Sequence, residues 1–292
     1  MYLIFGASGF LGPYLIKEIL KQTNDSVIAT YNSQKAKIED SRLSWRDLDL
    51  TDNSKIAEFC LDLKKLNQKL KVIYLSAVSS PDLVEKDPQS SRKINVDALP
   101  SLIEKIPNLE TFYLASTDSV YGESVNDYIF SEDDQLSPIN EYAKQKSEAE
   151  NIVLNSGQNV ARYPLMYGPS LCNKKHLYDA IVENLSNSKE MEMFSDSYRN
   201  CLSFASVAQY TIELIEKYKS KKIGIVNLCS DKAISRYELA LIIARKLSFD
   251  ENLVKPINSA SQNQIFISKR ANKTIMNNDK LKKLLDLDVI AV

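Results

Sequence analysis

The sequence predicts an α/β fold: a doubly wound parallel sheet carrying a smaller C-terminal lobe. Three observations lead there. The first 31 residues read as strand, glycine turn, helix and strand. Apolar runs and amphipathic stretches then alternate as far as about residue 165. Beyond it the alternation loosens around a cluster of Pro, Tyr and Gly.

Each element has a local reason. Tyr2 to Phe5 is apolar without alternation, as a strand buried on both faces must be. Glycines follow at 6, 9 and 12. From Tyr14 to Lys21, apolar residues at 15, 16, 19 and 20 mark one helical face, and Ser26 to Tyr31 is the next strand. Leu43 to Arg46 (strand), Asn53 to Gln68 (helix), Val72 to Ala77 (strand), Pro88 to Ile106 (helix, disturbed near Pro100) and Thr111 to Ala115 (strand) continue the alternation. Asn140 to Ser156 (helix) and Gln158 to Tyr163 (strand) complete it, and short right-handed crossovers accommodate these strands in one sheet. After Tyr163-Pro-Leu-Met-Tyr-Gly-Pro169 come a helix from His176 to Leu185, a short strand over Met191 to Phe194 and a helix from Ser206 to Tyr218. Strand character returns over Ile223 to Leu228, and Ser235 to Leu247 reads as a helix with Ser235 and Glu238 spaced as a capping box. Residues 258–278 are polar and aperiodic, and Leu281 to Leu287 is a terminal helix. The expected division is a body over residues 1–165 and a lobe formed mainly by 166–292, with one late strand able to rejoin the sheet.

Composition limits the function classes. With 44 % apolar and 26 % charged residues, the chain can bury a core and is not disordered. Lys plus Arg total 37 against 38 Asp plus Glu, so there is no basic excess of the kind that marks nucleic-acid binding. The cysteines at 60, 172, 201 and 229 are widely spaced and there is one histidine, which suits free thiols and excludes a zinc site built on several imidazoles. No metal is expected. The opening MYLIFGASGFLG has no charged leader, and no run of 18 apolar residues follows, so a cytoplasmic protein without a membrane segment is expected.

The glycines carry the first chemistry. Gly6-Ala-Ser-Gly9-Phe-Leu-Gly12 lies between a strand and a helix, where the first glycine makes a tight turn, the second admits a pyrophosphate and the third lets helix and strand pack closely. This is a Rossmann-like βαβ unit for a dinucleotide. The second strand ends in Thr30-Tyr-Asn32-Ser33-Gln-Lys35, without the acid that would bind an adenosine ribose diol. Ser33 and Lys35 can instead meet a 2′-phosphate, so NADPH is expected over NADH. Asp49 can accept from the adenine amino group, although Asp47 and Asp52 leave that choice open and Asp52 is equally placed to cap a helix. The full dinucleotide set expected is Gly6, Ser8, Gly9, Phe10, Leu11, Gly12, Asn32, Ser33, Lys35, Asp49, Leu50, Ala77, Tyr142 and Lys146.

The second chemistry lies on one helix face. Tyr142 and Lys146 are four residues apart. A phenol near pKa 10 is a poor proton donor at neutral pH unless an ammonium stabilises its phenolate. Paired so, it can protonate a ketone oxygen while hydride arrives from the cofactor. The strand ending in Ser116-Thr117-Asp118-Ser119 puts hydroxyls at the C-terminal edge of the sheet, where ligands of such folds sit. Thr117 and Ser116 are the candidates to orient a carbonyl.

These pieces together resemble the extended short-chain dehydrogenase/reductase family. The resemblance runs through the glycine loop, Asp49-Leu-Thr-Asp52, Glu85-Lys-Asp-Pro88, Ile94-Asn95-Val96, Ser116 to Gly122, Tyr142-x-x-x-Lys146 and Arg162 to Pro169. Within that family the chain looks most like the dTDP-4-dehydrorhamnose reductases. The resemblance implies a Rossmann body with a substrate lobe, the catalytic set Thr117, Tyr142 and Lys146, and reduction of a 4-keto nucleotide-diphosphate sugar. Ser116, Asp118, Ser119 and Arg199 would face that substrate, the guanidinium suiting paired phosphate oxygens. Pairing into a homodimer is common for this fold. Asn95 would support the active-site end by hydrogen bonding. Ser206 departs from the family, which often has Asp there. Ser119 replaces both the glutamate of the related dehydratases and the cysteine of the inverting epimerase-reductases, leaving His176 as the residue an inverting enzyme would use. A 4-epimerase, and a non-catalytic regulatory subunit like that of methionine adenosyltransferase, are the alternatives.

Overall fold

A computed structural model describes residues 1–259 and 266–292. The body elements are β1 (Tyr2–Phe5), α1 (Gly12–Gln22), β2 (Val27–Tyr31), β3 (Leu43–Asp47), α2 (Asn53–Lys64), β4 (Leu70–Tyr74), α3 (Pro81–Lys86), α4 (Pro88–Arg92), α5 (Ala98–Lys105), β5 (Leu109–Thr117), β6 (Ile129–Phe130), α6 (Glu141–Asn155) and β7 (Asn159–Tyr163). There follow β8 (Leu165–Tyr167), α7 (Leu177–Ser186), β9 (Met191–Phe194), β10 (Tyr198–Ser203), α8 (Phe204–Lys217) and β11 (Ile225–Asn227). The chain ends in β12 (Ala233–Ser235), α9 (Arg236–Lys246), β13 (Val254–Ile257), β14 (Lys273–Met276) and α10 (Asp279–Leu285).

The main sheet has seven strands in the order β3-β2-β1-β4-β5-β7-β11, all parallel. Every residue of β1 is buried because the strand feeds two cores. Tyr2 and Ile4 pack with α1 and α8 on one face, and Leu3 and Phe5 pack with α2, α5 and α6 on the other. The winding reverses between β1 and β4, and that switch point is where such sheets hold ligands. Local chemistry starts the helices. Asp52 caps α2 by accepting from the Ser54 and Lys55 N–H groups at 2.9 and 3.2 Å. Ser235 and Glu238 form the capping box of α9. Where the family often has an acid, Ser206 donates its N–H to the Ser203 hydroxyl, which caps α8.

Three differences from the sequence reading have physical causes. The disturbance expected near Pro100 lies just upstream of it: residues 93–97 form a π-turn in which the Ala98 N–H reaches the Lys93 carbonyl. Pro100 lacks the N–H that would bond to Val96, and its ring crowds that carbonyl, so the turn before it widens. The strand over 72–77 stops at Tyr74. Leu75 still donates to the Phe5 carbonyl, and the chain then leaves the sheet beneath the glycine loop. Strand β10 falls in a stretch to which the sequence reading assigned no element, between the strand 191–194 and the helix from Ser206. It lies between β12, β14 and β8, yet one of its buried residues is Asn200, which donates to the Ser230 carbonyl and accepts from the Met276 N–H. A strand that buries a satisfied amide shows no apolar alternation. Of the aperiodic stretch 258–278, residues 273–276 are β14 and residues 260–265 lie outside the described residues.

Candidate active site

The loop after β1 and the ends of β2 to β5 enclose a groove of about 850 Å³. All fourteen residues expected to meet a dinucleotide line it, from Gly6 to Lys146. Gly6 has φ +73°, and a Cβ there would stand 2.7 Å from the Ser76 Oγ, so the two loops of the switch point can approach closely only at glycine. Leu11 at the N-cap of α1 makes no side-chain cap, so no side chain competes with a pyrophosphate for the N–H groups of the first turn, to which Pro13 contributes none. Asp49 is drawn into its own turn: one carboxylate oxygen accepts from the Thr51 N–H and hydroxyl at 2.9 and 2.7 Å, which lowers its pKa. Asp52 is the cap of α2.

The end of β5 and the buried face of α6 make the reactive wall. Asn140 caps α6 by accepting from the Ala143 N–H, and Asn95 ties the helix to the loop after β4, bonding to both Val78 and Gln145. Lys146 is buried and donates to the Ala115 carbonyl. Burial pushes its pKa down to about 8, and the Glu150 carboxylate opposes that fall. Burial and the nearby Asp118 carboxylate raise the pKa of Tyr142, while the Thr117 hydroxyl acts in the other direction through a hydrogen bond. The phenol is therefore protonated through neutral pH, and the lowering expected from the Lys146 ammonium is not seen: burial dominates, and the one opposing influence is the Thr117 hydroxyl. Thr117 Oγ1 lies 3.1 Å from an Asp118 carboxylate oxygen and 3.2 Å from the Ser119 hydroxyl.

A second cavity, also of about 850 Å³, opens on the lobe side. Thr117, Asp118, Ser119 and Arg199 line it, and so does Tyr142, which belongs to both cavities. Ser116 does not reach it: its hydroxyl donates to Glu150 on the dinucleotide side. Arg199 donates to the Ala271 carbonyl at 2.9 Å, lies 3.8 Å from Asp118, and has a buried Nη1 with no partner among the described residues. His176 lines both cavities, its ring against Phe10 and Phe204, and burial lowers its pKa.

Sequence reading missed two further arginines here. Arg236, at the start of α9, and Arg270 face the same cavity as Arg199, and the pKa of Arg236 is lowered by burial and by the charges of Arg270 and Arg199. Arg270 donates to Asp82 at 2.9 Å, and the other Asp82 oxygen accepts from the Ser268 N–H and hydroxyl. Burial raises the Asp82 pKa, but these partners outweigh it and hold the pKa low. Asp82 thus fastens the segment 268–270 across the cavity mouth to α3. Nothing local in Ser-Lys-Arg or Ser-Arg-Tyr announces this. The signal for Glu150 was available, since it extends the Tyr142, Lys146 spacing by another four residues on the same face.

A dinucleotide groove on a seven-stranded parallel sheet, joined by Tyr142 to a cationic cavity, defines an NAD(P)-dependent oxidoreductase of the extended short-chain dehydrogenase/reductase type. The chain belongs to the family described as the RmlD substrate binding domain, whose family model matches residues 1–290. A solved structure of a hypothetical dTDP-4-dehydrorhamnose reductase from Sulfolobus tokodaii is 26 % identical with a TM-score of 0.80, covering 100 % of this chain and 97 % of that one. The beta subunit of methionine adenosyltransferase 2 from Bos taurus is 25 % identical over 261 residues, 87 % of this chain and 74 % of that protein. DesIV, a dTDP-glucose 4,6-dehydratase from Streptomyces venezuelae, shares the fold at 17 % identity and a TM-score of 0.79, covering 100 % of this chain and 92 % of that one. Among the described residues no helix is long and apolar enough to cross a membrane.

The expected preference for NADPH is corrected by these neighbours: DesIV holds NAD, and further solved neighbours hold NAD as well. The structure supplies the reason. Ser33 and Lys35 are exposed on the loop after β2, where water screens a single ammonium, and among the described residues no arginine lines the groove to grip a 2′-phosphate in bidentate fashion.

Proposed function

We propose that the protein reduces the C4 ketone of a nucleotide-diphosphate 4-keto-6-deoxy sugar with NADH. The observation that carries this reading is that Tyr142 lines both cavities, with Lys146 on the dinucleotide side and Thr117 on the other. When bound, the nicotinamide supplies the hydride. Tyr142 donates the proton to the carbonyl oxygen, and the Thr117 hydroxyl donates a hydrogen bond to the same atom, so negative charge developing there is met by two donors. Lys146 has further N–H groups beyond the one on Ala115 with which to hold a ribose hydroxyl. Arg199, Arg236 and Arg270 suit a diphosphate. Asp82 on Arg270 and Asp118 near Arg199 offset only part of this charge, and an anion would neutralise the rest. The proximity of Asp118 to Arg199 keeps part of that charge from the reacting carbon.

The test uses a 4-keto-6-deoxy nucleotide sugar and NADH deuterated at C4, followed by product NMR in a parallel reaction in D₂O. The expected result is stoichiometric NADH oxidation, label at C4 of the product, and no enzyme-dependent exchange at C3 or C5. Exchange at C3 or C5 assigns an inverting reaction with His176 as its base. Interconversion of 4-epimers without net NADH consumption assigns an epimerase. A second reading, a regulatory subunit, is favoured by the likeness to the methionine adenosyltransferase beta subunits, which extends over 87 % of this chain. It predicts dinucleotide binding without turnover of any sugar in a broad panel.

A further inference from the structure

We propose that Glu150, held between Arg162 and Ser116, is a positioning residue for the Tyr142–Lys146 pair, setting both the register of α6 against the end of β5 and the charge that Lys146 carries. The inference rests on the reading of Tyr142 and Lys146 given above. Three side chains of one helix face meet three consecutive residues of one strand. Tyr142 meets the Thr117 hydroxyl, Lys146 the Ala115 carbonyl, and Glu150 the Ser116 hydroxyl. The third contact is the most constrained. Arg162 on β7 donates to Glu150 through Nε at 3.0 and 3.2 Å and through Nη2 at 2.6 Å, and both residues are almost wholly buried. Arg162 is itself anchored by the Tyr121 hydroxyl at 2.6 Å and the Glu132 carbonyl at 3.3 Å. A buried ion pair adds little net stability over an apolar pair of the same volume, because desolvation consumes the Coulombic gain. Stability is therefore a poor account of why a carboxylate sits one helical turn beneath Lys146. Positioning is a better one: without a nearby anion, an ammonium buried at that point loses its proton more readily.

Among the charges around α6, Glu150 is the one whose field acts on Lys146. Tyr142 shares its face, Asp118 lies beyond the end of β5, and Arg162 faces it from β7. Arg92 and Asp97 are engaged with each other, and Arg92 with Glu148 on the outer face of the helix. Glu85 of α3 accepts from the Glu141 N–H.

The experiment measures NADH affinity and steady-state turnover from pH 6 to pH 9.5 for the full chain and its variants. The wild type should bind NADH more weakly as pH rises past about 8, where Lys146 loses its proton. Glu150→Gln strands the Arg162 charge in the interior and can unfold the chain. The decisive variant is therefore Glu150→Gln with Arg162→Met, which removes both buried charges and leaves an amide on Ser116. Its alkaline limb should move down by about one pH unit, so that NADH binds about tenfold more weakly than to wild type at pH 8.5 and almost equally at pH 6. Glu150→Asp should keep the limb near its wild-type position, because the charge is retained. A double variant whose limb coincides with that of wild type, or whose loss is uniform across pH, overturns the inference and leaves the catalytic reading standing. Lys146→Met separates the two: if it binds NADH as wild type does at every pH, the assignment of Lys146 fails, and this inference with it.

Discussion

Replacing Gly12 and Gly9 by alanine, one at a time, separates the two tasks of the glycine loop. A Cβ on Gly12 would stand 2.1 Å from the Ala7 carbonyl oxygen, 2.5 Å from the Ala7 carbonyl carbon and 2.6 Å from its Cα. All three are backbone atoms, so no rotamer change relieves the clash, and α1 or the loop must move by about an ångström. Overpacking of this kind costs ~1–3 kcal/mol. At about 2–4 °C per kcal/mol for a large domain, Gly12→Ala should lower Tm by roughly 2–12 °C. Gly9 differs. A Cβ there meets only the Gly6 carbonyl oxygen at 3.5 Å, an ordinary contact, and the residue is exposed. Gly9→Ala should leave Tm unchanged or raise stability by ~0.4–1 kcal/mol through the unfolded chain. Its added methyl would nonetheless stand where a pyrophosphate must approach, so NADH affinity should fall by about tenfold or more, ~1.4 kcal/mol. Thermal melts and NADH titrations of the two variants are the assay. Gly12→Ala melting with wild type refutes the packing argument, and Gly9→Ala binding NADH at wild-type affinity removes this loop from the dinucleotide site.

Three further outcomes are expected. Tyr142→Phe should keep NADH affinity within a few-fold while turnover falls by about 10²–10⁴-fold, measured as NADH oxidation under saturating sugar. Lys146 is an uncommon stability case, since burial lowers its pKa to about 8 from the ordinary 10.5. Below pH 8 it is charged in both states and the folded chain bears the whole cost of burying it; between about pH 8 and 10.5 only the unfolded chain holds the proton, so folding gains stability as pH rises. Lys146→Met should therefore stabilise the protein most below pH 8, by roughly 3 kcal/mol at most, with the gain fading toward pH 10.5 in denaturant melts. Asp82→Ala releases Ser268 and Arg270 together and should raise KM for the nucleotide sugar about tenfold with kcat within about threefold, because Asp82 bonds the segment that lines the cavity and not the proton donor. A fall in kcat with KM unmoved would instead tie Asp82 to the chemistry.

The body of this fold was legible because its signals are local. A strand buried on both faces reads as an apolar run, and β1 is unbroken while β2 and β4 are each interrupted once, by Thr30 and Lys71. A helix that covers one face shows its stripe, as α1 does with Leu15, Ile16 and Ile19. The π-turn at 93–97 is the product of a proline several residues later, and the pattern points at the proline while the distortion falls upstream. The remaining strands were less legible because they are short: β6 has two residues and β8, β11 and β12 three each, too few for a period to establish itself. They are held by partners far away in the chain, as when β14 pairs with β6 across more than 140 residues.

The same physics divides the site. The groups that would transfer a proton sit on one helix and the strand beside it, so Tyr142, Lys146 and Thr117 could be read from spacing and from position at a strand end. The groups that would choose the substrate come from β10, α9 and the segment before β14, and only folding brings Arg199, Arg236 and Arg270 to one cavity. Their charges repel, and Asp82 and Asp118 offset only part of that cost. A protein retains such unfavourable convergence where an anion completes it. The reaction class is therefore written in short-range spacing, while the choice of substrate is written in long-range contacts. In this chain the latter depend on Asp82, a body residue outside every motif, to hold one of the three arginines in place.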